Sequence, residues 1–92
     1  MTWGIYQTNR FSRSYKRLHP NQYPEVDGAI LRVGEDPSIG ERKKGDLSEL
    51  FVFKFSCLGQ QLLLGYTIDE GAKLVYLEAL GVHQNFYRDL KE

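Results

Sequence analysis

The last ten residues of the chain bring proton-handling and cationic side chains together directly behind an apolar run. If residues 84–91 are helical, His83 and Tyr87 are four positions apart and share one face of the helix. Phe86 and Leu90 share the neighbouring face, where they can pin the helix to a core. An imidazole beside a phenol can move protons next to a phosphate. The simpler alternative is a histidine that caps or decorates a surface helix.

Lysine side chains elsewhere in the sequence could act together with His83 and Tyr87. Lys54 interrupts an otherwise apolar strand, and a short basic stretch precedes that strand. Cleavage of RNA without a metal ion needs a base for the 2′-hydroxyl, an acid for the leaving 5′-oxygen, and cations for the phosphate. The candidate catalytic residues are therefore His83, Tyr87 and Lys54, and the candidate RNA-binding residues are Lys43, Lys44 and Arg88.

Each candidate also has a simpler interpretation. Tyr87 can stack on a base of single-stranded RNA instead of moving a proton. Lys43 and Lys44 can be a solvated loop, and Lys54 can project its ammonium group from the edge of a sheet. The chemistry therefore depends on the elements that place these side chains.

Hydrophobic periodicity predicts those elements. Residues 3–7 alternate as a strand that ends at Thr8 and Asn9, either of which can cap a helix. Apolar residues at helical spacing predict one helix up to Pro20 and a second that begins near Asn21 and ends at Gly34. Residues 35–40 are turn-forming and residues 41–47 are charged and exposed, and we expect a loop there that leads into a strand.

The second half of the chain is typical of an antiparallel meander. Runs at 50–55, 61–66 and 74–80 are rich in β-formers and are separated by short turn sequences. The fold class is therefore α+β, with the order β-α-α-β-β-β-α. The N-terminal strand and two helices pack in two layers on a mainly antiparallel sheet. In this meander the strand that carries Lys54 and the strand before His83 flank the middle strand.

Composition limits the function further. The 92 residues are 41% hydrophobic, 13% aromatic and 26% charged, which predicts one globular domain over 1–92. Cys57 is the single cysteine and there are two histidines, so we expect no disulfide, no metal site and no cofactor. We find no secretion signal and no membrane-spanning run, and a cytoplasmic protein is expected.

Charge is balanced overall but uneven along the chain. Twelve basic and twelve acidic residues cancel, yet residues 1–24 carry four basic side chains and no acid. Any attraction to a polyanion must therefore be local. The sequence contains no Gly-rich phosphate loop, and neither its serines nor Cys57 has an evident activating partner.

The order of elements and several motifs resemble the RelE/ParE toxins of bacterial type II toxin–antitoxin modules. The resemblance covers nearly the whole chain. It is carried by Phe11 with YKRL at 15–18, DPSIG at 36–40, KGDL at 44–47 and, most specifically, LGVHQNFYRDL at 80–90.

The resemblance implies a compact toxin that a cognate antitoxin neutralises. For RelE-like members it implies a metal-independent mRNA endonuclease in the ribosomal A site, with the 2′-hydroxyl attacking the adjacent phosphate. Lys54 matches a basic strand position, His83 a C-terminal Arg or His, and Tyr87 an aromatic position. Lys43 and Lys44 match a basic stretch that contacts the RNA backbone.

The chain departs from the RelE-like pattern at the middle strand and in its charge, which lacks the strongly basic balance suited to binding ribosomal RNA. Many active members carry an Arg shortly before the Tyr of the middle strand, whereas residues 62–66 read LLLGY. Two alternatives to an mRNA endonuclease therefore stay open. One is a ParE-like poison of DNA gyrase, since the same fold serves both targets. The other is an attenuated toxin that acts through antitoxin binding and operator repression.

Overall fold

Across residues 2–43 and 49–90, which the structure describes, a computed structural model shows five strands in one sheet. The strands are β1 (Gly4–Gln7), β2 (Glu41–Arg42), β3 (Phe51–Cys57), β4 (Gln60–Asp69) and β5 (Leu74–Gly81), and their order across the sheet is β1-β5-β4-β3-β2. β1 runs parallel to β5, and every other neighbouring pair is antiparallel. The predicted α+β class is confirmed.

The predicted meander is formed by β3, β4 and β5. The turn between β3 and β4 consists of Leu58 and Gly59, whose φ angles are 52° and 82°. Two consecutive positive φ angles are typical of the tight turn whose twist matches that of antiparallel strands. The register then places Lys54 opposite Leu63, and Leu63 opposite Gly81.

Two helices cover one face of the sheet. These are α1 (Asn9–Lys16) and α2 (Tyr23–Glu35). The Thr8 side chain caps α1 by accepting a hydrogen bond from the Phe11 backbone N–H at 3.3 Å, and it donates to the Leu77 carbonyl at 2.8 Å. The cap therefore fixes the helix start to β5 as well. Apolar residues of both helices meet the sheet in the larger core cluster, which includes Phe11, Val26, Val33, Leu64, Tyr66 and Leu77.

A third helix, α3 (His83–Leu90), packs on the opposite face of the sheet. Its Phe86 is 1% exposed and belongs to a second cluster formed by Leu50, Val52, Leu63, Ala79 and Phe86. Gly65 permits this close packing, because a Cβ atom built on it would lie 2.6 Å from Phe86 Cζ. α3 therefore adds a layer to the two that the sequence predicts. No helix in the described part of the chain is long and apolar enough to cross a membrane.

The segment predicted as a loop contains regular structure. Residues Pro37–Ile39 form one 3-10 turn, and β2 follows it. The buried Tyr66 hydroxyl holds this turn by donating to the Pro37 carbonyl and accepting from the Gly40 N–H at 2.9 Å. A strand of two residues is too short to show an alternating pattern, so the sequence could not reveal β2.

Candidate functional site

Strand alternation places the candidate cations on the face that α3 covers. Glu41 is the register partner of Val52, and directly opposed residues of neighbouring strands share one side of the sheet. Lys54 lies two residues beyond Val52 and therefore on that same side. The Lys43 backbone N–H donates to the Leu50 carbonyl at 2.9 Å, which continues the ladder past β2. Glu41 and Lys43, two residues apart, thus lie beside each other on this face.

α3 supplies the aromatic side of the site. The rings of His83 and Tyr87 meet edge-to-face with their centroids 5.0 Å apart. Tyr87 also meets Phe86 edge-to-face at 5.0 Å, so the buried Phe86 ring supports it from the core. Leu90 packs against the same core cluster. The predicted helical spacing of the pair and its apolar anchors are both confirmed.

Lys43 links the strand side of the site to the helix. Its Nζ lies 5.8 Å from the centroid of the Tyr87 ring and 2.9 Å from Glu41 Oε1. A cation above an aromatic ring is attracted by the ring quadrupole, so both contacts hold the ammonium in one place. The hydrogen bond to Glu41, followed by that to Tyr87, raises the pKa of Lys43. Lys43 therefore carries its positive charge throughout the physiological pH range.

Glu41 is the member of the site that the sequence analysis missed. Its pKa is lowered mainly by the hydrogen bond from Lys43, then by the charge of Lys43, and then by the charge of Lys54. The carboxylate thus lies within the field of both lysines. Its side chain is 69% exposed, against 22% for that of Lys43. The only sign of Glu41 in the sequence is an acid two residues before a lysine. That spacing brings the two side chains together only if both residues are extended, and β2 could not be predicted.

Lys54 lies across the sheet from the start of α3. Its register partner Leu63 is paired in turn with Gly81, two residues before His83. Two strand spacings separate Lys54 from Gly81, which is about 10 Å between their backbones. Lys54 is exposed, and its charge reaches Glu41. Lys54 therefore lies on the sheet face that α3 covers, across the sheet from the His83–Tyr87 pair.

Arg88 and Lys44 are the two remaining candidates. Arg88 is exposed on α3, and helical geometry turns it about 100° away from Tyr87. Lys44 lies outside the described residues. The structure thus brings together His83, Tyr87 and Lys43, and it adds Glu41.

The middle strand contributes no cation over the stretch that departs from the RelE-like pattern. Leu62, Leu63, Leu64 and Tyr66 are all buried in the two core clusters. The positive charge of the site therefore comes from the edge of the sheet. No group of three or more metal-ligating side chains gathers within the described residues.

This arrangement can act on a phosphodiester. An imidazole at the exposed end of α3 can exchange a proton with a hydroxyl group. Ammonium groups on β3 and after β2 can stabilise the negative charge that develops on phosphorus-bound oxygens. The Tyr87 ring can support the histidine or stack on a base.

Known proteins match the chain at the level of family and fold. Residues 5–91 match the family model described as ParE-like toxin of type II bacterial toxin–antitoxin system. A search among curated proteins gave no significant match.

Solved structures of RelE toxins are similar to this chain. The toxin–antitoxin complex RelBE2 from Mycobacterium tuberculosis contains a chain that is 18% identical, with 90% of this chain and 100% of that chain covered and a TM-score of 0.78. The intact E. coli RelBE complex matches with 15% identity, coverage of 87% and 95%, and a TM-score of 0.72. A mutant E. coli RelE bound to a peptide of the antitoxin RelBc matches with 16% identity, coverage of 98% and 95%, and a TM-score of 0.71. At these identities the likeness shows the fold.

Proposed function

This chain belongs to the ParE-like toxins of type II bacterial toxin–antitoxin systems, and we propose that it acts as a RelE-like endonuclease that cleaves mRNA at the ribosome. The observation that carries the proposal is the cluster of His83, Tyr87 and Lys43, with Lys54 on the same sheet face. These groups provide the functions that RNA cleavage without a metal ion requires.

In the proposed reaction, His83 accepts the proton of the 2′-hydroxyl. The 2′-oxygen then attacks the adjacent phosphorus, and the bond from phosphorus to the 5′-oxygen breaks. The leaving 5′-oxygen takes a proton from the protonated imidazole or from water. The products are a 2′,3′-cyclic phosphate and a free 5′-hydroxyl, and the imidazole returns to its neutral form.

The two lysines stabilise the charge of the transition state. Lys43 is held on the Tyr87 ring and stays protonated, so it is a fixed positive charge beside the aromatic pair. Lys54 projects from β3, and its backbone lies about 10 Å from that of Gly81, just before α3. A phosphate between the two sides would therefore contact cations in two directions.

We further propose that a cognate antitoxin neutralises this toxin, as antitoxins accompany the toxin in the RelBE2 and RelBE complexes. The support in this chain is a groove between α2 and the outer edge of β3, whose lining is apolar in part and also includes Arg32 and Lys54. Leu31 is 67% exposed there, and the half-buried Phe53 and Phe55 line the groove. In the described part of the chain, β2 pairs only with Phe51 and Val52, so the rest of this edge is open to an added strand.

Inducible expression with mapping of mRNA 5′ ends tests the nuclease. Wild type is compared with His83→Ala and Tyr87→Ala, and circular dichroism checks that all three proteins fold. We expect growth arrest and new 5′ ends for wild type, with both effects strongly reduced in the two variants. Equal arrest without new ends in all three strains would overturn the proposal.

A second candidate function is the poisoning of DNA gyrase. The ParE-like family model and the absence of an Arg at residues 62–66 favour it. Such a toxin acts by binding, so His83→Ala would keep its toxicity. Stabilised cleavage complexes of purified gyrase on plasmid DNA would support this candidate, and their absence would exclude it.

A further inference from the structure

We propose that Glu41 is a positioning residue of this site. Its carboxylate fixes the Lys43 ammonium against Tyr87, and its negative charge beside Lys43 and Lys54 opposes the approach of an RNA phosphate. The inference rests on the proposed nuclease function, because it assigns a phosphodiester to this pair of lysines.

The backbone pairing around Glu41 determines its contact with Lys43. β2 is pinned to β3 by the pairing of Glu41 with Val52, and the Lys43 N–H bonds to Leu50 just beyond it. Residues two apart on an extended chain point to the same side. The 2.9 Å contact between Glu41 Oε1 and Lys43 Nζ therefore follows from the strand.

A lysine side chain needs such restraint because it has many rotamers. The Tyr87 ring restricts Lys43 from one direction, and the Glu41 carboxylate restricts it from another. Rate enhancement by a charge depends on holding that charge in position before the reaction begins. Loss of the carboxylate should therefore lower the rate of the chemical step.

The carboxylate also affects binding of the substrate. It is an anion that lies beside the ammonium of Lys43 and in the field of Lys54. Its side chain is far more exposed than that of Lys43, so an approaching phosphate meets its negative charge. The carboxylate repels the phosphate while it keeps its contact with Lys43, and this repulsion weakens binding of RNA.

The two effects predict that kcat and KM both fall when the carboxylate is removed. On ribosomes programmed with a defined mRNA, Glu41→Gln should lower KM about 3- to 10-fold and lower kcat by a similar factor. Glu41→Asp, which keeps the charge, should hold KM near the wild-type value and restore part of kcat. Glu35→Gln, an exposed acid at the end of α2, is the matched charge control and should change neither constant.

A double-mutant cycle with Lys43→Met shows whether Glu41 acts through Lys43. In that background Glu41→Gln should cause no further loss of kcat. A rise in KM for Glu41→Gln, or losses of kcat that add in the double variant, would overturn the positioning role while leaving the nuclease in place. A wild-type protein that cleaves no mRNA would overturn both proposals.

Discussion

At the scale of single residues, His83 is the group whose loss should affect the reaction most directly. We expect His83→Ala to reduce mRNA cleavage by roughly 10²- to 10⁴-fold, the usual contribution of a positioned proton-transfer group. Because His83 is exposed at the first position of α3, free imidazole should restore part of the activity. Initial rates on programmed ribosomes, with and without imidazole, measure both effects.

His19 provides the control for this experiment. It is the other histidine of the chain and is exposed beside the 3-10 turn Pro20–Gln22. His19→Ala should keep full activity and show no response to imidazole. Wild-type activity in His83→Ala would contradict the proposed role of the imidazole.

The residues of the site differ in how far the sequence predicts them. His83 and Tyr87 lie on one continuous helix, so a spacing of four residues is enough to bring their rings together. The contacts of Lys43 join residues far apart in the chain, and they depend on how the end of β2 meets α3. Glu41 was missed for that reason. Its importance arises from a strand of two residues that no sequence pattern can reveal.

At the scale of elements, Gly65 determines where α3 rests. We expect Gly65→Ala to push the Phe86 ring away and to destabilise the fold by about 1–3 kcal/mol, the usual cost of overpacking. Because α3 carries His83 and Tyr87, mRNA cleavage should fall as well. Urea unfolding and cleavage rates test the two effects on the same protein.

The same substitution elsewhere serves as the control. Gly28 lies within α2, and a Cβ atom built on it meets nothing within 4 Å. Gly28→Ala should therefore stabilise the protein by up to about 1 kcal/mol and leave cleavage unchanged.

Adding Phe86→Leu to Gly65→Ala should recover some stability, because the smaller side chain leaves room for the new methyl group. A Gly65→Ala protein with wild-type activity would show that α3 does not need this close approach.

Tyr66 fixes the turn that leads into β2, and it gives the fold a defined response to alkaline pH. Tyr66→Phe leaves the Gly40 N–H and the Pro37 carbonyl without their partner, at a cost of roughly 1–3 kcal/mol. Burial raises the pKa of Tyr66 to about 12 from its ordinary 10.0. The folded state thus favours the protonated phenol. Its contribution is complete below pH 10 and is lost as the pH rises through about 12.

Urea unfolding at pH 8 and pH 11 tests this response. The difference in unfolding free energy between wild type and Tyr66→Phe should be smaller at pH 11 than at pH 8. The pKa of Tyr15 is also raised to about 12, mainly by its hydrogen bond to Asp27, but Tyr15 is present in both proteins and its effect cancels. A difference that stays constant with pH would contradict the role assigned to the Tyr66 hydroxyl.

The sequence predicts the larger elements well and their placement less completely. Alternating apolar residues and the short turn at Leu58 and Gly59 were sufficient to identify the meander of β3, β4 and β5. The helical stripes identified α1 and α2 on one face. The face chosen by α3 could not be predicted, because it depends on the space above Gly65 for the Phe86 ring. That space is formed by the tertiary packing of several strands.

At the scale of the whole molecule, the distribution of charge decides how the protein can hold RNA. The net charge is zero, and two groups of basic side chains lie on different faces of the sheet. One group is the site, with Lys43 and Lys54 on the α3 side of the sheet. The other is the basic side of α1, which packs against the opposite face; it includes the exposed Arg13 and continues to the exposed Arg17 at the C-cap. Binding through the site alone should therefore involve few phosphates.

The salt dependence of RNA binding distinguishes these two surfaces. For a single-stranded oligonucleotide and the His83→Ala protein, which cannot cleave it, contacts from Lys43, Lys54 and Arg88 predict a slope of about −2 for log affinity against log salt. Lys54→Gln should reduce the magnitude of the slope by about 0.7, the loss of one phosphate contact, whereas Arg13→Gln on α1 should leave it unchanged. Fluorescence anisotropy at several salt concentrations gives the slopes. A slope that falls with Arg13→Gln and does not change with Lys54→Gln would place the RNA on α1, away from His83, and would contradict the chemistry proposed for the α3 face.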